Sequence, residues 1–367
     1  MSVLADRVER VRAAMVDQDV DVLLLSVGPD LPYLTGYEAM PLERLTMLVL
    51  PRDGTATLVV PRLEAPRVQE RPDVFELRPW DETDDPVTIV ADLVGRGGER
   101  RLAISDRAWA TFLLGLQAEL PSARWERSSL VTSPLRARKD DDEVAALRAA
   151  AEAADRVAAQ LLGGDIPLIG RREAEVSADL GRRLRAEGHD RVNFAIVGSG
   201  PNAASPHHVP GGRVIQAGES VVCDFGGTMA GYCSDITRTV FTGEPPDDFR
   251  RLYDVLQEAQ ARAVEAATVG TRCEAVDAAA RDRIAEAGYG ELFIHRTGHG
   301  IGLEEHEDPY LVLGNHEALA PGHAFSVEPG IYVPGRFGAR IEDIVVATDA
   351  GPDPLNRADH DLHVVEV

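Results

Sequence analysis

Four acids and one histidine in the later part of this chain occupy positions where such residues are costly. Asp224 falls in Val221-Val222-Cys223-Asp224-Phe225-Gly226-Gly227, and Asp235, eleven residues on, in Cys233-Ser234-Asp235-Ile236-Thr237-Arg238-Thr239. Glu328 falls in Phe325-Ser326-Val327-Glu328-Pro329-Gly330, and Glu342 in Arg340-Ile341-Glu342-Asp343-Ile344. Each stretch reads as a strand carrying an acid that β propensity disfavours. Each pair is expected on successive strands joined by a Gly- or Pro/Gly-rich turn. Between the pairs, His299 is hemmed by glycines in Thr297-Gly298-His299-Gly300-Ile301-Gly302. Any one acid alone reads most simply as a surface or strand-end residue. Four in apolar surroundings are harder to explain so, because a buried carboxylate is costly unless paired or coordinated and like charges raise one another's pKa. Two divalent cations would cancel the four charges and take one neutral imidazole as ligand. Mixed oxygen and nitrogen ligation suits Mn, Co, Zn or Fe rather than Cu. Ion pairing to Arg238 or Arg340 is the competing account.

In this order and with these flanks, the five residues resemble the metal ligands of the pita-bread metallopeptidases, which include methionine aminopeptidase, aminopeptidase P and prolidase. Tyr33-Leu34-Thr35-Gly36 and the α/β first domain resemble the creatinase-type N-terminal domain of the proline-specific branch. The chain is most similar to bacterial Xaa-Pro dipeptidases. The resemblance implies that Asp224 chelates one metal, that His299 and Glu328 bind the other, and that Asp235 and Glu342 bridge both. It implies a bridging hydroxide as nucleophile, with manganese as first expectation for the two ions. Catalytic roles fall to His207, His306 and Glu328, with Glu328 shuttling a proton to the departing nitrogen. His207 lies 17 residues before Asp224 and His306 seven after His299, as in the family; both would hold substrate or stabilise the tetrahedral intermediate. Arg340 is expected on the same strand face as Glu342, and the matching arginine of prolidases binds the prolyl carboxylate; a structural partnership with Glu342 is the plainer alternative. One departure stands out: many prolidases carry a second arginine after the His-Glu-x-Pro stretch, whereas His306-Glu307-Asp308-Pro309 is followed here by Tyr310. A tyrosine can hydrogen-bond a carboxylate but brings no charge.

The expected activity is therefore hydrolysis of the Xaa-Pro bond of dipeptides, with aminopeptidase P action on longer peptides as the alternative. A non-peptidase hydrolase or lyase, or a peptide-binding module, on the same fold ranks lower because all five ligands are intact. The partner is a small peptide with proline second, and the branch implies a homodimer whose first domain reaches the rim of its partner's active site.

Two domains must position these residues, since 367 residues exceed one ordinary core. The first, 1–136, reads as α/β: a helix over 3–18, then strands over 20–26, 47–50, 57–60 and 102–104. The charge run 136–143 reads as a solvated boundary leading into an alanine-rich helix over 143–162. The second domain, 137–367, reads as α+β with antiparallel sheet. Its helices are expected over 171–187, 247–267 and 273–287, and its strands over 194–197, 220–225, 234–241, 324–333 and 339–347.

Composition removes other classes. A net charge of −23 argues against nucleic acid, and no apolar run approaches the roughly 20 residues of a membrane span. The acid and arginines of Met1-Ser2-Val3-Leu4-Ala5-Asp6-Arg7 do not suit a signal peptide. Cys223, Cys233 and Cys273 lack C-x-x-C spacing and read as small core residues of a cytoplasmic protein. The single lysine, Lys139, sits in the charge run outside the expected core, which removes Schiff-base chemistry. His208, His360 and His363 read as surface or structural residues.

Overall fold

Val8, Val11 and Met15, spaced for one helical face, are buried along α1 (Val3–Asp17), which Ser2 caps by accepting the Ala5 N–H at 3.2 Å. From there the computed structural model, which describes residues 2–366, forms two units, the first ending at Arg136 and the second beginning at Ala137. Met1 and Val367, the outer ends of the expected domains, lie outside the described residues.

The first unit continues through β1 (Val22–Leu25), α2 (Asp30–Thr35), β2 (Met47–Pro51), β3 (Thr57–Pro61), β4 (Glu76–Trp80), α3 (Pro86–Val94), β5 (Arg101–Ile104), α4 (Ala110–Glu119), β6 (Arg124–Arg127) and α5 (Ser129–Ala137). Its six strands form one sheet in the order β4-β3-β2-β1-β5-β6. The pairing is mixed: β1–β2 and β2–β3 antiparallel, the others parallel. The sequence reading missed β4 and β6, which begin Glu-Leu-Arg and Arg-Trp-Glu; both are edge strands, where one open side needs no apolar run. Asp30 anchors α5 from inside, accepting from Arg136 at 2.9 Å, Thr132 at 3.0 Å and Ser128 at 3.1 Å.

The second unit opens with α6 (Asp141–Leu162), started by a reciprocal capping box between Asp140 and Glu143, and α7 (Glu173–Ala186). Next come β7 (Arg191–Ser199), β8 (Ser220–Met229), β9 (Tyr232–Cys233), β10 (Ile236–Thr242), α8 (Asp247–Ala266), α9 (Cys273–Glu286) and β11 (Gly298–Gly300). The chain ends with β12 (Glu307–Leu311), β13 (Ala324–Val327), β14 (Gly330–Val333), β15 (Phe337–Arg340), β16 (Asp343–Thr348), β17 (Gly351–Pro354) and β18 (His363–Val365). The antiparallel character is realised in two sheets, β18-β10-β8-β7 with β9 on β8, and β12-β11-β13-β16-β17, plus the hairpin β14–β15; β10–β18 is the parallel exception. Leu161, Val176 and Leu180 of α6 and α7 pack on Val221, Cys223 and Phe225 of the first sheet. Phe249, Leu256 and Val276 of α8 and α9 pack on Phe325, Val327 and Val345 of the second. Among the described residues no helix is long and apolar enough to cross a membrane.

Two expectations change. The acids were expected inside strands, but only Asp224 is; Asp235, Glu328 and Glu342 sit in short breaks beside β10, between β13 and β14, and between β15 and β16. Leaving the ladder frees a side chain from the two-residue alternation of the pleat, and Pro329 has no N–H to continue it. Nor is the charge run 136–143 simply solvated. Lys139 is buried, its ammonium 2.6 Å from the Glu307 carboxylate, and Glu143 accepts from the buried Tyr232 hydroxyl at 2.8 Å. Lys139→Met therefore withdraws the ammonium from a buried carboxylate and is expected to cost about 3–5 kcal/mol. Urea unfolding should show a clearly lower midpoint, while Arg124→Met, at a pair in which both side chains are about three-quarters exposed, should leave it almost unchanged.

Candidate metal centre

Asp224, Asp235, His299, Glu328 and Glu342 come from both sheets and the breaks beside them, and all five line one cavity of about 450 Å³. Thr237 of β10 bridges to Glu342 across the sheets, and its hydroxyl donates to the Glu342 carboxylate at 2.6 Å. His299 needs its glycines because the backbone there is crowded. A Cβ at Gly298 would lie 1.8 Å from the Ser326 carbonyl oxygen, and one at Gly300 2.2 Å from that of Asp308. The ring's Nδ1 faces the Gly300 carbonyl at 3.2 Å, so Nδ1–H donates there and Nε2 keeps its lone pair for the cavity. That Nε2 lies 3.3 Å from Glu328 and 3.8 Å from Asp235.

The electrostatics are those of a cluster short of positive charge. Burial, then Glu342 and Asp224, hold the Asp235 carboxyl well above the usual range. Burial, then Glu328 and Asp224, do the same to Glu342. Burial carries Glu328 up to about 7, with Arg340 opposing and Asp224 adding to the rise. Burial and the neighbouring His306 bring His299 down to about 3, so its ring is neutral. Arginine pairing accounts for little of the acid cluster: Arg340 pairs with Asp224, and Arg238 with Asp343, behind the site. Oδ1 of Asp224 and Oδ1 of Asp235 are buried without a hydrogen-bond partner. Ligand atoms of Asp235, His299 and Glu342 lie within 4.8 Å of one another. Orphaned carboxylate oxygens, mutual repulsion and one aimed imidazole nitrogen fit a divalent-cation site.

The other expected residues divide. His207 and His306 are exposed side chains on the cavity wall, and the His306 ring lies 3.9 Å, centroid to centroid, from that of His299. Arg340 also lines the cavity, but its Nη1 donates to the Tyr332 hydroxyl at 2.8 Å, its Nε to the Thr237 hydroxyl at 3.1 Å, and its Nη2 to Asp224. Its carboxylate partner is thus Asp224 rather than Glu342. Tyr310, expected to meet substrate, is not among the cavity-lining residues; its ring lies under the Arg296 guanidinium, 4.4 Å from the centroid. His208 is structural, 2.8 Å from the buried Glu173, and His360 joins the Asp343 network at 2.6 Å. All three cysteines are buried and free.

Sequence reasoning missed three residues. His295 and Arg296 line the cavity, and Tyr332 links Arg340 to His295. The Tyr332 hydroxyl accepts from Arg340 and donates to His295 Nε2 at 2.8 Å, leaving His295 Nδ1–H to donate to the Arg296 carbonyl at 2.7 Å. Burial and Arg340 hold His295 neutral, down to about 3. A signal existed: His295 lies four residues before His299 and Tyr332 four after Glu328.

Both units have counterparts among known proteins. Residues 145–349 match the family described as metallopeptidase family M24, and residues 7–138 match the creatinase/prolidase N-terminal domain. The chain is 45% identical over 369 residues to a probable dipeptidase PepE of Mycobacterium bovis, covering all of this chain and 97% of that one. It is 35% identical to a Xaa-Pro dipeptidase of Lactobacillus helveticus, covering 98% and 99%. Among solved structures, a recombinant prolidase from Thermococcus sibiricus superposes with a TM-score of 0.94 at 37% identity, with complete coverage of both chains.

The raised carboxyls have a thermodynamic consequence. For Glu328 the ordinary value is 4.5 and the folded value about 7, so the folded metal-free site binds the extra proton between them. Its contribution is present below the unfolded value and lost as pH rises through the folded one. The stabilisation gained from added Mn²⁺ is therefore expected to grow between about pH 5 and about pH 8. Thermal melts with chelator and with Mn²⁺ at each pH check this; a metal-independent melting temperature across the range would sink the assignment.

Proposed function

This chain belongs to metallopeptidase family M24, and from that premise we propose that it is a metal-dependent Xaa-Pro dipeptidase, a prolidase. The observation that carries the reading is the convergence of four carboxylates and one aimed histidine on a single cavity. Asp224 would hold one divalent cation, His299 and Glu328 a second, with Asp235 and Glu342 shared. Once bound, two such cations supply Lewis acidity and an activated water for amide hydrolysis. Manganese is the ion we assign, on the hard oxygen-rich ligand set.

The chain's own residues do the rest. Glu328, whose carboxylate lies 3.3 Å from His299 on the cavity wall, would take a proton and return it to the departing prolyl nitrogen. His207 and His306 stand on the wall where a tetrahedral oxyanion or the substrate amide needs donors. Phe194, Ile196 and Pro206 form an apolar wall suited to the side chain and the proline ring. Arg340, tied through Tyr332 to His295, holds Asp224 in position. Dipeptides are preferred over longer peptides because the curated relatives of full length include a Xaa-Pro dipeptidase. Cytoplasmic residence, supported by three free cysteines, and a homodimer belong to the same proposal.

Asp235→Asn or Glu342→Gln is expected to lower kcat/KM by more than about 100-fold, the upper loss for a residue one shell further out, with circular dichroism unchanged and bound metal reduced. Near-native turnover in either variant would remove the site assignment. A matched panel of Xaa-Pro and Xaa-Pro-Xaa, with Mn²⁺ present, tests the substrate: faster cleavage of the tripeptides would make the protein an aminopeptidase P. Light scattering at micromolar concentration should give twice the chain mass of 39.7 kDa, and a monomer would end the dimer proposal.

A further inference from the structure

A dipeptide brings a free carboxylate to the site, and desolvating it calls for a cation. Two arginines line the cavity, Arg296 and Arg340. Arg340 is 2% exposed, and its guanidinium already serves Asp224, Tyr332, Thr237 and, at 3.4 Å, the Pro206 carbonyl. Its positive charge is spent on a carboxylate of the protein itself.

Arg296 is differently placed. It is half-buried and makes no ion pair among the described residues. Its guanidinium carbon sits over the Tyr310 ring, 4.4 Å from the centroid, and Nη2 donates to His306 Nδ1 at 3.2 Å. Tyr310 is the register partner of His299 across β11 and β12, so the strand pair that presents the metal-facing histidine also presents the ring beneath Arg296. A guanidinium stacked on an aromatic face keeps its edge N–H groups free for a planar anion and is orientationally restricted in advance.

We propose that Arg296, seated on Tyr310 and steadied by His306, receives the α-carboxylate of the prolyl residue and thereby selects dipeptides. Tyr310 then takes part in recognition as a platform, and the cation comes from three residues before His299 instead of from position 310. The selection is geometric: one further residue moves the carboxylate away by about 3.5 Å, beyond a guanidinium held at a fixed point. The inference rests on the dipeptidase reading above.

The test uses the Mn²⁺-loaded full chain with Ala-Pro, its uncharged analogue Ala-Pro-amide, and Ala-Pro-Ala. Arg296→Gln is expected to raise the KM for Ala-Pro about 30-fold more than the KM for Ala-Pro-amide, with kcat for Ala-Pro little changed. Arg296→Lys should recover part of that difference, having the charge without the fork. Tyr310→Leu, which removes the platform and leaves the arginine, should give a smaller rise with the same selectivity. Equal losses on all three substrates would overturn the proposal and make Arg296 a support for His306; no change on any would overturn it as a solvated charge. Failure of the wild type to cleave Ala-Pro would instead overturn the dipeptidase reading, and the inference with it.

Discussion

Four carboxylates held close together out of water repel one another, and much of the second unit can be understood as a means of keeping them there. Left to itself the cluster would protonate or splay apart. The protein opposes splaying with backbone: Glu342 is bridged to Thr237 across the two sheets, and its carbonyl is gripped by the buried Arg238 at 2.7 Å. Arg238 also bonds Asp343 at 2.8 Å and the Ala358 and Asp359 carbonyls, so one arginine ties the C-terminal segment to the strand that carries the site. The repulsion that remains is the driving force for taking up cations.

Three arginines around the site illustrate how burial decides what a guanidinium can do. Arg238 is wholly buried and spends its donors on backbone carbonyls and one carboxylate, a structural use. Arg340 is buried beside the cavity and is divided between Asp224 and the Tyr332–His295 chain, which holds the Asp224 carboxylate in place. Arg296 is half-buried, sits over the Tyr310 ring and makes no ion pair among the described residues, the arrangement that leaves charge available to an incoming anion. A lysine, with its compact and strongly hydrated head, would serve poorly in any of these places. The single lysine of the chain instead meets a single carboxylate, Glu307, inside the same unit.

The histidines follow a similar division. His299 and His295 are both kept neutral by burial, and each has Nδ1–H committed to a backbone carbonyl. The Nε2 atoms differ: that of His299 is aimed at carboxylates and available as a ligand, while that of His295 accepts from Tyr332. His207 and His306 stay on the exposed wall, where side chains can turn toward substrate. Sequence spacing does not say which ring nitrogen His299 or His295 offers, because that depends on what faces each nitrogen in the fold.

Much of the chemistry was nonetheless legible from residue types alone. Asp224, Asp235, His299, Glu328 and Glu342 stood out because each interrupts an apolar or glycine-rich run, and such interruptions carry an energetic cost wherever the fold places them. The helices α1, α6, α8 and α9 were legible for the same local reason, a 3.6-residue apolar period. What depends on long-range proximity was not. Edge strands β4 and β6 lack an apolar run because their burial is one-sided. Lys139 read as solvated because its partner Glu307 is 168 residues away. Arg340 was read for the prolyl carboxylate, with Glu342, two residues along the chain, as the alternative partner, whereas its guanidinium meets Asp224, 116 residues away; the placement of Arg296 on Tyr310 exists only once β11 and β12 pair. Local propensity and the cost of misplaced charge are written in the sequence; which charge meets which is decided by strand pairing, since Coulomb and hydrogen-bond energies depend on distance in space and not along the chain.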